Sequence, residues 1–210
     1  MSISTKEKAV EVDRRRLRGE KARAAILEHS TVIASTDGLE GLSIGRVASS
    51  AGVAKGNIQV LFGDKESLQL ATLESAIGLY HSTVVEPAMA LATPAERLET
   101  LVDAWFDFVE QRVLPGGCFI NAVSSEYRAR PGRIRDRINE HRAKIRERFD
   151  TLLRLGQEAG QFRAGLDVDQ LVFELAAFQA AANVAALMED TEAFARARAS
   201  SLSRLRAARA

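Results

Sequence analysis

GLSIGRVASSAGVAKGNIQVLFGDKESL, residues 41–68, is the stretch on which the reading of the fold turns. Ile44, Val47, Ala48, Val53, Ile58, Leu61 and Phe62 all point inward if two short helices meet at a sharp angle across Gly52, which is the spacing of a helix-turn-helix. Ser43 is placed to cap the first helix, which runs through Ser50, because its hydroxyl can accept from a backbone N–H of the first turn. Gly52 supplies a positive φ that a residue with a Cβ resists. Ala48 must stay small where the helices approach most closely, and Val53 plugs the turn. The second helix covers residues 54–62 and leaves Lys55, Gly56, Asn57 and Gln59 on its outer face, the face such a motif presents to a DNA major groove.

Working outward, Ala22, Ala25, Ile26, Val32 and Ile33 recur at helical spacing between residues 19 and 35, and Asp37-Gly38 stops that helix. Residues 1–18 are polar with few apolar anchors and read as a mobile basic arm. On the other side Asp64 caps a long helix to about Val85, where Pro87 is expected to end or kink it. Thr93 and Pro94 open the next helix as cap and first residue, and Pro115-Gly116-Gly117 closes it. A short helix follows over 119–127, then an arginine-rich one from Pro131-Gly132 to about Ala159, then two more over 167–188 and 191–208.

The composition agrees with an all-helical chain. Of 210 residues 46% are apolar, enough for one good core or a small domain beside a larger one, while aromatics and prolines are sparse and no stretch reads as a strand ladder. A net charge of only +1 excludes a polyelectrolyte that holds nucleic acid by bulk charge, but the charge is unevenly placed. Residues 1–24 carry eight Lys or Arg against four acids, residues 130–148 eight against three, and residues 196–209 five Arg and no acid. A single cysteine, Cys118, makes no intramolecular disulfide, and the opening MSISTKEKAVEVDRRR lacks the apolar centre of a signal peptide, so a cytoplasmic protein is expected. The most apolar run, LVFELAAFQAAANVAALM, is interrupted by Glu174, Gln179 and Asn183 and is read as a buried helix; no membrane partner is expected.

The block at 41–68 resembles the TetR family, whose members carry an Ala-Gly-Val turn, a short recognition helix, an aromatic Phe and a Lys-Glu opening the next helix; here these are Ala51-Gly52-Val53, Lys55-Gly56, Phe62 and Lys65-Glu66-Ser67-Leu68. The resemblance covers residues 20–73 and implies an N-terminal three-helix DNA-binding domain, a long connecting fourth helix and about nine helices in all. It also implies that Ser43 and Lys65 grip phosphates while Arg46, Lys55, Gly56, Asn57 and Gln59 lie at or near base edges. Each type has a chemical reason: lysine at a helix start is a point charge, glycine lets backbone approach the DNA, and Asn or Gln can pair bidentately with adenine. The chain departs from the family pattern at Ala54, Asn57, Gln59 and Leu61, where Ser or Thr, Thr, Tyr and His are usual, so an unusual operator is expected.

Outside that block the signals are weaker. Basic residues between 14 and 23 fit a solvated coil or a minor-groove contact equally well. In the arginine-rich helix Ile134, Ile138, Ile145, Phe149 and Leu152 form an apolar stripe with the arginines largely opposite, which favours a solvated face over a second nucleic-acid surface. Aromatic residues cluster in the C-terminal part; most are ordinary core, and Trp105, Phe108, Phe119, Tyr127 and Phe178 are the candidates to line a ligand cavity. Leu171, Leu175, Phe178, Ala182, Ala185 and Ala186 are the stripe expected to pair with a second copy. Cys118 follows two glycines at a helix start, where a lowered thiol pKa would suit redox sensing, yet a buried inert thiol is the preferred reading. His29, His81 and His141 are far apart, with no metal-binding spacing, and no phosphate loop, nucleophile elbow or Glu-x-x-His motif is present, so neither a metal, a cofactor nor an enzymatic activity is expected.

The sequence therefore predicts an all-α chain: an arm over 1–18, a helix-turn-helix domain over 19–66 and a helical ligand-binding and dimerisation domain over 67–210. The expected function is a DNA-binding transcriptional regulator, a homodimeric repressor on a palindromic double-stranded operator, released by a small apolar or amphipathic effector. Control by a protein partner or by thiol oxidation is the alternative, beside a helical ligand-binding protein whose DNA-binding part is vestigial.

Overall fold

The computed structural model describes the backbone of residues 5–210 and the side chains of residues 16–210. Its elements are α1 (Thr5–Asp37), α2 (Ile44–Ser50), α3 (Lys55–Phe62), α4 (Lys65–Tyr80), α5 (Glu86–Met89), α6 (Pro94–Glu110), α7 (Phe119–Glu126), α8 (Arg133–Glu158), α9 (Val168–Leu187) and α10 (Thr191–Ala208). A π-helical turn, His81–Val85, joins α4 to α5 without a break, so the described residues hold nine helical rods, as expected for an all-α chain. Among them the one strand-like pairing is an isolated bridge between Phe162 and Arg209.

The chain forms two compact units, dividing after Ser75. In the first, α1, α2 and α3 pack on one another around Ile26, Leu39, Leu42, Val47, Ile58 and Leu68, each almost wholly buried. The inward face of α1 is more polar than its periodicity suggests: Ser30, Thr31 and Ser35 are buried beside Ile26, Leu27 and Ala34, whereas Ala22, Ala25 and Val32 are exposed. Those polar groups serve the start of α4. Ser30 Oγ lies 2.9 Å from Thr72 Oγ1, and Gln69 Nε2 donates to the Leu39 carbonyl at 2.7 Å. These buried bonds hold the first half of α4 in the N-terminal unit, which is why the division falls after Ser75 and not after Glu66.

Two further expectations are modified. Of the stretch read as an arm, residues 1–4 lie outside the described residues; from Thr5 onward it is helical and continuous with α1, since no proline interrupts residues 5–37 and Gly19 alone does not stop a helix. Pro87 does not end the fourth helix. The Glu86 N–H reaches five residues back to the His81 carbonyl, and the widened turn just ahead of Pro87 accommodates a residue that has no N–H to give.

In the second unit α6 is central, burying Leu98, Leu101, Val102, Trp105, Phe106, Phe108 and Val109 against α8, α9 and α10. Its start is fixed by a capping box: the Glu96 N–H donates to Thr93 Oγ1 at 3.2 Å, and the Thr93 N–H to Glu96 Oε2 at 3.0 Å, an arrangement that contributes about 1 kcal/mol. The basic tail is not a free charge patch. Arg198 meets Asp103, Asp107 and Glu110 of α6, Arg204 meets Glu174, and Arg209 meets Glu99, so α10 is clamped to its neighbours by ion pairs.

Helix α9 is long and apolar enough, by length and composition, to cross a membrane; here it packs on α10, α8 and α6. Being apolar on more than one face, it misleads a reading by periodicity. Leu171, Leu175, Ala182 and Ala185, expected to meet a second copy, are buried inside the unit itself. The face left uncovered is instead Phe173, Ala177, Ala181, Val184 and Met188, with Phe173 67% and Met188 76% exposed.

Candidate nucleic-acid interface and ligand cavity

The helix-turn-helix forms from local rules. Ser43 has an extended backbone and its Oγ accepts from the Arg46 N–H at 3.2 Å, which opens α2 and leaves the hydroxyl proton free to donate outward. Gly52 takes φ 65°, and the Val53 N–H returns to the Ala48 carbonyl at 3.0 Å, closing the turn. Asp64 opens α4 by accepting from the Ser67 N–H at 2.7 Å. Ile58 and Phe62 bury the inner face of α3, with Arg23 of α1 stacked 4.9 Å from the Phe62 ring centroid. That contact gives one residue of the ambiguous basic stretch a structural partner.

All seven residues expected at DNA, namely Ser43, Arg46, Lys55, Gly56, Asn57, Gln59 and Lys65, are exposed, on α2, α3, the start of α4 and the cap between α1 and α2. Three cations are held in place. Arg46 pairs with Asp37, Lys65 Nζ donates to the Glu40 carbonyl at 3.0 Å and sits 3.4 Å from its carboxylate, and the Lys55 side chain lies back over Gly45. A Cβ at position 45 would stand 3.1 Å from Lys55 Cε, so this glycine, which sequence reasoning left out, makes room for that lysine. Asp37 is held below the usual carboxylate range by hydrogen bonds from the Thr36 and Arg46 side chains, so it stays charged and competes with any phosphate for Arg46.

Gly56 differs from the rest. It sits in the first turn of α3, a Cβ there would meet nothing within 4 Å, and its φ does not demand glycine. In a helix glycine costs about 1 kcal/mol relative to alanine, and nothing inside the protein explains accepting that cost. Ala54, the cap of α3, makes no side-chain capping bond; the Asn57 N–H donates back to the Ala54 carbonyl at 3.0 Å, and no cap side chain takes the N–H groups of Lys55 and Gly56. Val60, 87% exposed on the same helix, was also missed by the sequence reading. The available signal was phase: Val60 falls outside the Ile58, Leu61, Phe62 stripe.

The second unit holds a cavity of about 90 Å³. Trp105, Phe108 and Phe119, three of the five aromatic residues expected to line one, do so, joined by Tyr80 of α4 and by Ile120 and Ile145. Tyr127 and Phe178 do not: Tyr127 is buried at a neighbouring groove between α7, α8 and α9 that shares Asn121 and Arg142 with the cavity, and Phe178 lies against α10. The polar members come from residues that no motif marks: Cys118, Asn121, His141, Arg142, Arg146 and Gln179. Arg142 and Arg146 therefore depart from the expected pattern of arginines opposite the apolar stripe of α8. Gln179 is 8% exposed, and its Nε2 has no hydrogen-bond partner. Tyr80 packs edge-on against Phe108 and His141, with centroids 6.1 and 6.3 Å away, and burial raises its phenol above the ordinary value. Burial likewise pushes the Cys118 thiol up, against smaller opposing effects from the Asn121 backbone, the Trp105 side chain and Arg142, so the sulfur is a neutral wall group at pH 7 and not an activated thiolate.

Comparison with known proteins matches residues 94–201, more than half of the chain, to the family described as tetracyclin repressor-like, C-terminal domain. The fatty acid metabolism regulator protein of Bacillus subtilis (strain 168) is 25% identical over 144 residues, which span 68% of this chain and 72% of that protein. Among solved structures, a TetR transcriptional regulator from Chloroflexus aurantiacus J-10-FL superposes with a TM-score of 0.81 at 20% identity, covering 91% of this chain and 98% of that one. AibR, in a crystal structure with isovaleryl coenzyme A and operator DNA, gives a TM-score of 0.61 at 19% identity, covering 76% and 84% of the two chains. With its C-terminal unit matched as a family domain and its N-terminal unit built as a helix-turn-helix, the chain belongs to the TetR family of DNA-binding transcriptional regulators.

Proposed function

We propose that the protein is a dimeric repressor that binds a palindromic operator and is released by a small molecule entering the cavity of its C-terminal unit. Gly56 is the observation that carries the DNA part: a helix-destabilising residue on the outer face of α3, with no intramolecular reason, is accounted for by close approach to a DNA surface. Lys65 and the Ser43 hydroxyl then serve phosphates, and the exposed amides of Asn57 and Gln59 are the base readers. The exposed Val60 offers an apolar contact suited to a thymine methyl group. Lys55 and Arg46 exchange their resting partners for DNA, Arg46 giving up Asp37 in part.

The second copy supplies what covers Phe173, Ala177, Ala181, Val184 and Met188, a stripe whose small residues permit close helix approach. The cavity, with its aromatic walls and a buried amide donor, has the character of a small-molecule site. The AibR complex, which contains both an acyl thioester and operator DNA, supports such a reading by likeness of fold. An operator selected from a random DNA pool, followed by titration with and without candidate effectors and by sedimentation, tests the whole. A stable monomer at micromolar concentration, or a cavity ligand that leaves operator affinity unchanged, would remove the dimeric or the ligand-released part respectively.

A further inference from the structure

The cavity of the C-terminal unit has a chemical polarity that its aromatic walls conceal. Its lining contains no acidic residue, yet two guanidinium groups, Arg142 and Arg146, stand one helical turn apart on α8 at its edge. Arg142 is half-buried, and among the described residues neither arginine has an ion-pair partner. From α9, the buried Gln179 presents an amide Nε2 that donates to nothing in the protein. Tyr80 and Cys118 stay neutral there, so no group of the lining carries a negative charge to offset the two cations. A buried donor with no acceptor is costly, and a half-buried cation, Arg142, beside an exposed one, Arg146, without counter-charges in the lining favours an anion.

We infer that the effector of this site is a small monocarboxylate, with a hydrocarbon body against Trp105, Phe108 and Phe119 and its carboxylate accepting hydrogen bonds from Gln179, Arg142 and Arg146. Aromatic walls alone would equally suit a quaternary ammonium ion, but the two guanidinium groups repel one and no carboxylate of the lining neutralises it. Size narrows the class. A cavity of about 150 Å³ accommodates the six carbons of benzene, so one of about 90 Å³ takes a hydrocarbon body of roughly four carbons, as in pentanoate beyond its carboxylate. This inference rests on the ligand-release reading only for its effect on DNA; binding itself is independent of it.

The experiment is calorimetric titration of the full-length protein with pentanoate, pentan-1-ol and pentylammonium, three ligands of one shape and three charges, alongside operator-binding curves. Pentanoate is expected to bind at least about ten-fold more tightly than the other two. Arg142→Gln and Gln179→Leu should each remove most of that preference, weakening pentanoate by a larger factor than pentan-1-ol, with melting curves confirming that both variants fold. Pentylammonium binding as well as pentanoate, or no heat from pentanoate up to about 10 mM, overturns the assignment. Release of operator by the amine would retain ligand-controlled repression and discard the carboxylate. Pentanoate binding without any change in operator affinity would do the reverse.

Discussion

The two units of this protein put their working residues on opposite sides of their cores. In the first, the candidate DNA contacts all lie outside, on or beside helices whose inner faces do the packing. In the second, the candidate ligand contacts are part of the interior itself: Trp105, Phe108 and Phe119 are core residues that also wall the cavity. The difference teaches that recognition and stability should be separable by mutation in the N-terminal unit and entangled in the C-terminal one.

The sharpest test is Gly56→Leu. With open space around a Cβ at this position, the variant should melt no lower than the parent, because leucine is the better helix former, while operator affinity falls by about 100-fold in fluorescence anisotropy. Retained binding would break the comparison at its strongest point. The counterpart in the second unit is Gly156→Ala, where the added Cβ would stand 2.4 Å from the Phe162 ring. It should cost about 1–3 kcal/mol in urea unfolding, with the fraction that remains folded binding operator as before.

Within the DNA face, Lys65 and Gln59 divide positioning from readout. Lys65→Ala should weaken binding to every sequence alike and, with two copies per dimer, lower the salt slope by roughly 2. Gln59→Ala should cost on the order of 1–3 kcal/mol per contact at the matched base and much less at a mismatched one, leaving the salt slope alone. Uniform losses from both across a base-substituted operator series would reduce Gln59 to a backbone contact. The smallest expected effect concerns the cavity wall. Because burial raises the folded-state pKa of Cys118, its contribution to stability is fully present below the unfolded thiol value of about 8.5 and is lost as pH rises through it. Unfolding midpoints at pH 7 and pH 10 should therefore diverge more in the parent than in Cys118→Ala, and equal pH dependence would show that burial does not hold the thiol neutral.

The same contrast explains what could be read from the sequence. The turns and caps of the N-terminal unit close through contacts a few residues apart, so Ser43, Gly52 and Asp64 announce them and the seven outward residues follow from phase. Val60 was missed because an apolar side chain on an outer face carries no hydrogen-bonding mark of recognition, and Gly45 because it answers to a lysine ten positions on. The cavity is assembled from α4, α6, α7, α8 and α9, and only its aromatic content is visible locally. Gln179, read as an interruption in an apolar run, is the buried donor of the site. Arg142 and Arg146 were assigned to solvent because a stripe of period 3.6 has edges, and the edge is where they stand. On α9 the two apolar faces have the same period, so which one turns inward is decided by α10 and α6 and not by the helix's own sequence.

The π-helical turn at His81–Val85 sets the phase of one rod. An α-helix advances by about 100° per residue, and a wider turn absorbs an extra residue without a loop, so α5 emerges rotated relative to where an ideal helix starting at Lys65 would have carried it. Val84, Val85 and Ala88 reach the interior from that altered phase. Removing one residue between 81 and 85 would restore an ideal ladder and leave Ala88 in its present phase, whereas forcing the full sequence into an ideal ladder would turn Ala88 away from the interior. The irregular turn thus works as an angular offset written into the chain, keeping Ala76, Val84, Val85 and Ala88 on the interior side of one rod of the second unit.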